Sequence, residues 1–349
     1  MRKYILLTSL CFVKIAAACT SFGVVTDKGT IIGKNRDYYY SNQNFKLVGP
    51  IKQFEEWYGN PSQHNNKFYA LVSKDDIKFG VNEFGLTAIE EDPPFPSDAN
   101  SHRRYKQPYQ GYSEGMILYG ILQNFNTVDE IIPYIDRIFS TAAPNYYQIA
   151  DKNTILTVEV AYGNTDIDPK RPYTYKVINK INDFFTHTNT YQSREFTNLN
   201  QLGNTDSING SNNRLQKINN YVSSTKDDFS QAFNWYLDTQ STVGSANDKN
   251  YCLNTSIFRS NTKDLNIINH DTSSDTVYGT VSSFMVQHTA KDTYIYLRIL
   301  NSLYTQENGD QEITFNEIVI PLDSLFKSNK LDYKPFNMKR KTPNNGICY

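Results

Sequence analysis

Cys19 stands where a thiol and a basic amine can meet on one residue. It follows Ala16-Ala17-Ala18, and a cut after Ala18 makes it the amino terminus. An α-amine has an ordinary pKa of about 7.7 to 8.0, so near pH 7 part of it is neutral and can accept a proton. One residue then supplies both the attacking sulfur and the base that activates it. Further along lies Gly33-Lys34-Asn35-Arg36-Asp37. An aspartate beside such a terminus holds its ammonium form, and a lysine or arginine there lowers a thiol pKa toward thiolate.

Those groups need an element that brings them together. Cys19 to Val25 reads as a strand, Thr26-Asp27-Lys28-Gly29 as a turn and Thr30 to Lys34 as a returning strand. Such a hairpin carries Lys34, Arg36 and Asp37 back beside Cys19. Ahead of it, Arg2 and Lys3 precede a mostly apolar stretch from Ile5 to Ile15, and Ala16 and Ala18 are the small residues of a cleavage site. This is the pattern of an export signal at 1–18. The stretch is interrupted by Lys14 and is too short to span a bilayer. The same small-residue box also fits, loosely, a lipid attachment site at Cys19, which would tie the chain to a membrane and block the amine. A lipid site has no need of the charged hairpin end.

Three more segments complete a pattern. Phe79 to Thr87 contains Gly80-Val81-Asn82-Glu83-Phe84-Gly85-Leu86; Asn145 to Asp151 ends in Ala150-Asp151 and is followed by Val158-Glu159; and His187-Thr188-Asn189 comes next. With Cys19-Thr20 and the Gly33–Asp37 run, and in this order, they resemble the choloylglycine hydrolase and penicillin V acylase family and the related isopenicillin-N acyltransferase-like proteins. Those are amino-terminal-nucleophile (Ntn) hydrolases, and the resemblance spans Cys19 to about Leu300. It implies an α+β fold, the four-layer αββα sandwich, and cleavage of a linear amide C–N bond in an N-acyl small molecule. The Cys19 thiol would attack, with its α-amine as base. Asn189 and a backbone N–H near Asp92 would hold the oxyanion, and Asp37 with Lys34 or Arg36 would orient the terminus. The family arginine aligns with Lys34 without gaps, which leaves the choice between Lys34 and Arg36 open. Arg214, in Ser211-Asn212-Asn213-Arg214, corresponds to a later family arginine. No metal or organic cofactor is implied, and acyl transfer to an amine is the alternative outcome of the same intermediate.

The structural readings of these residues are plain ones. Asn82 and Gly85 suit a turn between strands, with Gly85 at positive φ. Asp151-Lys152-Asn153 reads as a turn, and Asn189 as a strand-end hydrogen bonder. His187 shares a strand face with Asn189 by the period of two, yet the five histidines have no metal-ligand spacing. Tyr38, just after Asp37, either lines an acyl pocket or packs in the core. Asp92-Pro93-Pro94-Phe95-Pro96, followed by His102-Arg103-Arg104, reads as a loop over the site, with Phe95 against the acyl group and an arginine near a polar end.

A net charge of −1 provides no field for nucleic acid or anionic lipid. The expected partner is a small N-acyl amide, membrane association follows only from lipidation, and a homo-oligomer is left open. Cys19, Cys252 and Cys348 remain after loss of the leader, and a Cys252–Cys348 disulfide would leave Cys19 free.

The remaining pattern gives strands at Phe68–Val72, Ile77–Val81 and Leu86–Glu90, then helices at Ser113–Gln123 and Val128–Phe139. Strands follow at Tyr146–Ala150, Thr154–Ala161, Tyr173–Val177 and Phe184–Thr190. Polar Asn198–Asn213 reads as a loop. Helices at Arg214–Val222 and Phe229–Leu237 precede strands at Tyr278–Gln287, Thr293–Leu300 and Ile313–Pro321. Strand blocks separated by helix pairs make α+β layers, with one domain over 19–330, a surface tail over 331–349 and no internal repeat.

Overall fold

The structure is a computed structural model describing residues 19–40, 43–54, 64–73, 76–93, 112–161, 172–203, 205–225, 260–261, 274–305, 311–328 and 330–340. The leader, Phe95, His102-Arg103-Arg104, the helix expected at Phe229–Leu237, Cys252 and Cys348 lie outside those residues.

The chain begins with the expected hairpin. Strand β1 (Thr20–Val25) turns through Thr26 to Gly29 into β2 (Thr30–Tyr40), which runs well past Lys34. Thr26 N donates to Gly29 O at 2.8 Å, and Gly29 has φ +148° with the His288 carbonyl 2.5 Å from where a Cβ would sit. Only glycine fits there. The register sets Thr20 opposite Asn35 and Ser21 opposite Lys34.

Two antiparallel sheets follow from alternating apolar strands. One holds β1, β2, β10 (Phe184–Thr188), β11 (Ser260–Asn261), β12 (Ser274–His288), β13 (Thr293–Thr305), β14 (Gln311–Pro321) and β15 (Lys334–Arg340). Its order is β10-β1-β2-β12-β13-β14-β15, with β11 on β12. The second runs in sequence order from β3 (Gln43–Val48) through β4 (Phe68–Ser73), β5 (Asp76–Asn82), β6 (Thr87–Glu91), β7 (Tyr146–Ala150) and β8 (Ile155–Val160) to β9 (Tyr173–Ile178).

The period of two divides each strand between layers. Tyr69 and Leu71 face the other sheet, meeting Phe284, Val286 and Leu297, while Phe68 and Ala70 face helices. Phe79 stacks on Phe284 at 4.3 Å in the inter-sheet core, where each fully buried side chain of this size contributes about 1.5–3 kcal/mol. Helix α1 (Glu114–Asn124) packs on β5 and β6, and α2 (Val128–Ile131) and α3 (Ile135–Phe139) extend that layer. Pro133 places a 3-10 turn between α2 and α3, so the single helix expected over Val128–Phe139 is divided. On the opposite side α4 (Thr205–Thr225) covers β1 and β10, with Ile218 and Val222 on Phe22, Val24 and Met285. A short α5 (Leu322–Lys327) packs on β13 and β14. The layers are α, β, β, α, as expected.

Two segments differ from expectation. Asn198–Asn213 is not a loop: it holds a 3-10 turn at Thr197–Leu202 and the first half of α4. The buried stripe of α4 runs Ser211, Arg214, Ile218, Val222, a helical spacing that polar residues begin. Ser211 is buried because Thr188 Oγ1 donates to its carbonyl at 3.2 Å. The expected surface tail also contributes β15, which pairs with β14 from Gln311↔Arg340 to Glu317↔Lys334. Of the turn readings, Asn82 Oδ1 accepts from Phe84 N and Leu86 N, both at 3.0 Å, and Gly85 has φ +91°. Asp151 Oδ1 accepts from Asn153 N and Thr154 N, and its Oδ2 from Val128 N at the start of α2.

Candidate active site

Strand β1 lies between β2 and β10, so Cys19 at its start is flanked on both sides. Thr20 pairs with Asn35 on one side and Thr188 on the other. Directly paired residues share a face, which puts Ser21, Lys34 and His187 together and brings Cys19 and Asn189 onto that face one pleat earlier. The face looks across to the end of β6, where Glu90 and Glu91 are buried.

Asn189 is the hub. Its Oδ1 accepts from Cys19 N at 2.7 Å and from Arg214 Nη2 at 3.1 Å, while its Nδ2 donates to the Asp92 carbonyl at 2.7 Å. The amide has one sense: turned over, its NH₂ would face two donors and its oxygen a carbonyl. Arg214, 2% exposed, reaches this point from α4.

Lys34 and Arg36 take different partners. Lys34 is fully buried, donates from Nζ to the Glu90 carbonyl and lies 3.5 Å from Glu90 Oε1. Arg36 turns aside: its Nη1 donates to Gln43 Oε1 at 3.1 Å, and its guanidinium lies 4.6 Å from the Tyr38 ring centre. Tyr38 is partly buried and packs, as Phe336 does, on the cluster of Val281, Leu300, Leu303, Ile313 and Phe315, which agrees with the core-packing reading of that residue. Asp37 is buried and accepts from Thr280 Oγ1 at 2.6 Å.

Burial dominates the electrostatics of the thiol. The Cys19 thiol is pushed up to about 12, chiefly by burial; Lys34 pulls it down, and Glu91, Glu90 and Asp37 add to the rise. A neighbouring cation therefore does not make a resting thiolate here. Burial works to lower the Lys34 pKa, but Cys19, Glu90 and Glu91 outweigh it and hold the ammonium charged. The site thus has a neutral thiol, a fixed cation and a need for a base at the moment of attack.

The Asp92 stretch is narrower in its possibilities than its sequence suggests. Glu91 N donates to Asn145 Oδ1 at 2.9 Å, and Pro93 has no N–H, so a backbone donor there narrows to Asp92 itself. The carbonyl of Asp92 has a second task, orienting Asn189.

Sequence reasoning passed over Glu90 and Glu91 and gave His187 a bland part. His187 lies between two carboxylates, with Nδ1 3.2 Å from Glu91 Oε2 and Nε2 3.1 Å from Glu159 Oε1. The signal was two charged residues closing a strand otherwise written Thr87-Ala88-Ile89. A cavity of about 450 Å³ opens behind His187, lined by Gln148, Glu159, Thr186, Gln192 and Ser193 among others, and Cys19 does not line it.

With this geometry in place, the likenesses can be stated. The family model described as acyl-coenzyme A:6-aminopenicillanic acid acyl-transferase matches residues 24–274. No curated protein sequence matches the chain. Among solved structures, a mutant conjugated bile acid hydrolase from Clostridium perfringens is 13% identical, covering 91% of this chain and 97% of its own, with a TM-score of 0.47. The Caenorhabditis elegans ortholog of N-acylethanolamine-hydrolyzing acid amidase is 12% identical, covering 79% and 98%, with a TM-score of 0.37. At those scores the structural likenesses carry no argument about the site.

Proposed function

Because the chain belongs to the acyl-coenzyme A:6-aminopenicillanic acid acyl-transferase family, an Ntn family, we propose that it is an exported hydrolase of linear amides. Its substrate is an N-acyl small molecule. Removal of 1–18 frees Cys19, whose thiol attacks the amide carbonyl carbon while its α-amine takes the thiol proton. The single observation that carries this reading is the 2.7 Å bond from Cys19 N to Asn189 Oδ1, which orients the nitrogen that must serve as base.

The remaining steps follow from the geometry. Carbon–sulfur bond formation places negative charge on the former carbonyl oxygen. The second hydrogen of Asn189 Nδ2 and the Asp92 N–H are the donors proposed for it, each worth about 2.7–4 kcal/mol in comparable sites. The ammonium returns its proton to the leaving nitrogen, the C–N bond breaks and a thioester remains. Water then attacks the thioester with the α-amine again as base, and the thiol is regenerated. Lys34 lowers the cost of negative charge on sulfur throughout, and Asp37 is the carboxylate proposed to stabilise the charged terminus. The chemistry calls for no cofactor.

A second reading has one observation in its favour: the matched family is described by acyl transfer. In that case an amine in place of water takes the acyl group from the thioester. The test is a panel of N-acyl amides assayed for released amine, with and without an added acceptor amine, alongside Cys19→Ala. Release that depends on Cys19 supports the proposal, and capture of the acyl group by the acceptor converts it to transfer. A diacylglycerol-sized mass increment on Cys19 would replace both readings with a lipid-anchored binding protein.

A further inference from the structure

Three chain segments hold Asn189, and one side chain joins them. His187 precedes Asn189 by two residues on the same face of β10. Glu91 immediately precedes Asp92, whose carbonyl accepts from Asn189 Nδ2 at 2.7 Å. Glu159 holds the turn beyond Asn189, accepting from Gln192 N at 2.8 Å, from Ser193 N at 3.0 Å and from the Ser193 hydroxyl. His187 bridges the last two, at 3.2 Å from Glu91 and 3.1 Å from Glu159.

We propose that His187 is a positioning residue: as a cation between Glu91 and Glu159 it fixes the Asn189 amide relative to Cys19 and Asp92. The inference rests on the reading of Cys19 and Asn189 given above.

The charge suits a ring with a carboxylate oxygen 3.2 Å from Nδ1 and another 3.1 Å from Nε2. A neutral imidazole has one N–H, whereas the imidazolium has two. Glu91 is fully buried and Glu159 is 8% exposed, so an unpartnered carboxylate on either side is costly. Only the cation serves both. Facing the ring are Glu91 from β6, Glu159 from β8 and the Tyr146 ring of β7, 4.2 Å away. Lys34 and Cys19 lie within electrostatic reach of Glu91. Burial works to lower the His187 pKa, but Glu159 and Glu91 raise it to about 9. Loss of the proton takes the His187 contact from one of the two carboxylates, leaving Glu91 with Gln148 Nε2 at 3.4 Å or Glu159 with the Gln192-Ser193 donors, and the link between the Asp92 segment and the Gln192-Ser193 turn is loosened. Asn189 moves with it, and a displacement on the order of 1 Å in such a group can cost about a hundredfold in rate.

The test combines kinetics with an observation independent of turnover. In His187→Gln, kcat is expected to fall about a hundredfold with KM within about twofold. The high-pH fall in wild-type kcat near 9 should be missing from that variant. In wild-type protein, the Asn189 side-chain amide resonances, assigned by their loss in Asn189→Ala, should shift with the same midpoint as the His187 ring protons. That titration decides the matter if His187→Gln does not fold. Asn189 resonances that ignore His187 titration would overturn the proposal, as would wild-type kcat in His187→Gln. If no amide is hydrolysed yet Asn189 still titrates with His187, the positioning stands and the amidase reading fails.

Discussion

Cys19 N and Asn189 Oδ1 lie 2.7 Å apart across 170 residues of sequence. The contact exists because β1 and β10 pair from Thr20↔Thr188 to Val24↔Phe184, so the start of one strand meets the end of the other. Asn189 is thereby bonded to Cys19 N, to Arg214 and to Asp92 at once.

Asn189→Ala removes the oxyanion donor proposed above and the acceptor of the Cys19 N bond. A kcat reduction of about a hundredfold or more is expected, the scale of losing one such donor. Cleavage before Cys19 should still occur, because it is performed by another enzyme. Steady-state kinetics on protein with a mass-verified terminus make the measurement; an undiminished kcat contradicts the role.

Lys34→Met removes the cation that pulls the Cys19 thiol down. The thiol pKa should rise further, so iodoacetamide should alkylate Cys19 more slowly at every pH between 7 and 10, by about tenfold for each unit of change. The variant should also be less stable by about 3 kcal/mol, since Glu90 loses its nearest ammonium and keeps, among the described residues, Lys78 at 3.9 Å as its ion-pair partner. Unchanged alkylation kinetics would assign Lys34 a purely structural part.

Asn82→Ala probes the fold alone. The side chain accepts from Phe84 N and Leu86 N and donates to the Leu122 and Phe125 carbonyls, tying the β5–β6 turn to the end of α1. Several buried bonds are lost together, so a stability loss on the order of 3 kcal/mol is expected in urea unfolding. Folded protein should retain its kcat. A large kcat loss without destabilisation would move Asn82 into the active site.

Two histidines give the stability profile opposite slopes. His187 has its folded pKa raised to about 9 from an ordinary 6.5, so its contribution is complete below 6.5 and is lost as pH rises through 9. His288 is pushed down to about 3 by burial, with Lys152 adding to the effect. Its contribution is present above 6.5 and is lost as pH falls through 3. Thermal scans from pH 4 to pH 10 should show Tm falling on both sides of neutrality. His187→Gln should flatten the alkaline side between 6.5 and 9, and an identical alkaline slope in that variant would contradict the assignment.

The hairpin and most strands were legible because each couples a turn to a run of buried apolar residues. Cys19, Asp37, Asn189 and Arg214 could be singled out from the sequence as candidates, and the fold brings Asn189 to Cys19 N and Arg214 to Asn189. Lys34 and Arg36 were inseparable in sequence because both sit on one face of β2. Gln43 and Tyr38, which draw Arg36 aside, are seen only in three dimensions. The start of α4 was hidden because its buried stripe opens with Ser211 and Arg214, polar groups whose partners lie on distant strands. His187 and Glu159 were read individually, but their joining with Glu91 was hidden for the same reason: a buried charge declares itself only with its partner.

The most direct test places one extra residue before Cys19 and compares amide hydrolysis with that of protein beginning at Cys19, with both termini verified by intact mass. The thiol is retained, but the α-amine becomes a non-basic peptide nitrogen. The account predicts near-complete loss of kcat, comparable to Cys19→Ala. Full activity with the extra residue demonstrably in place would contradict it, and would require a base other than the terminus.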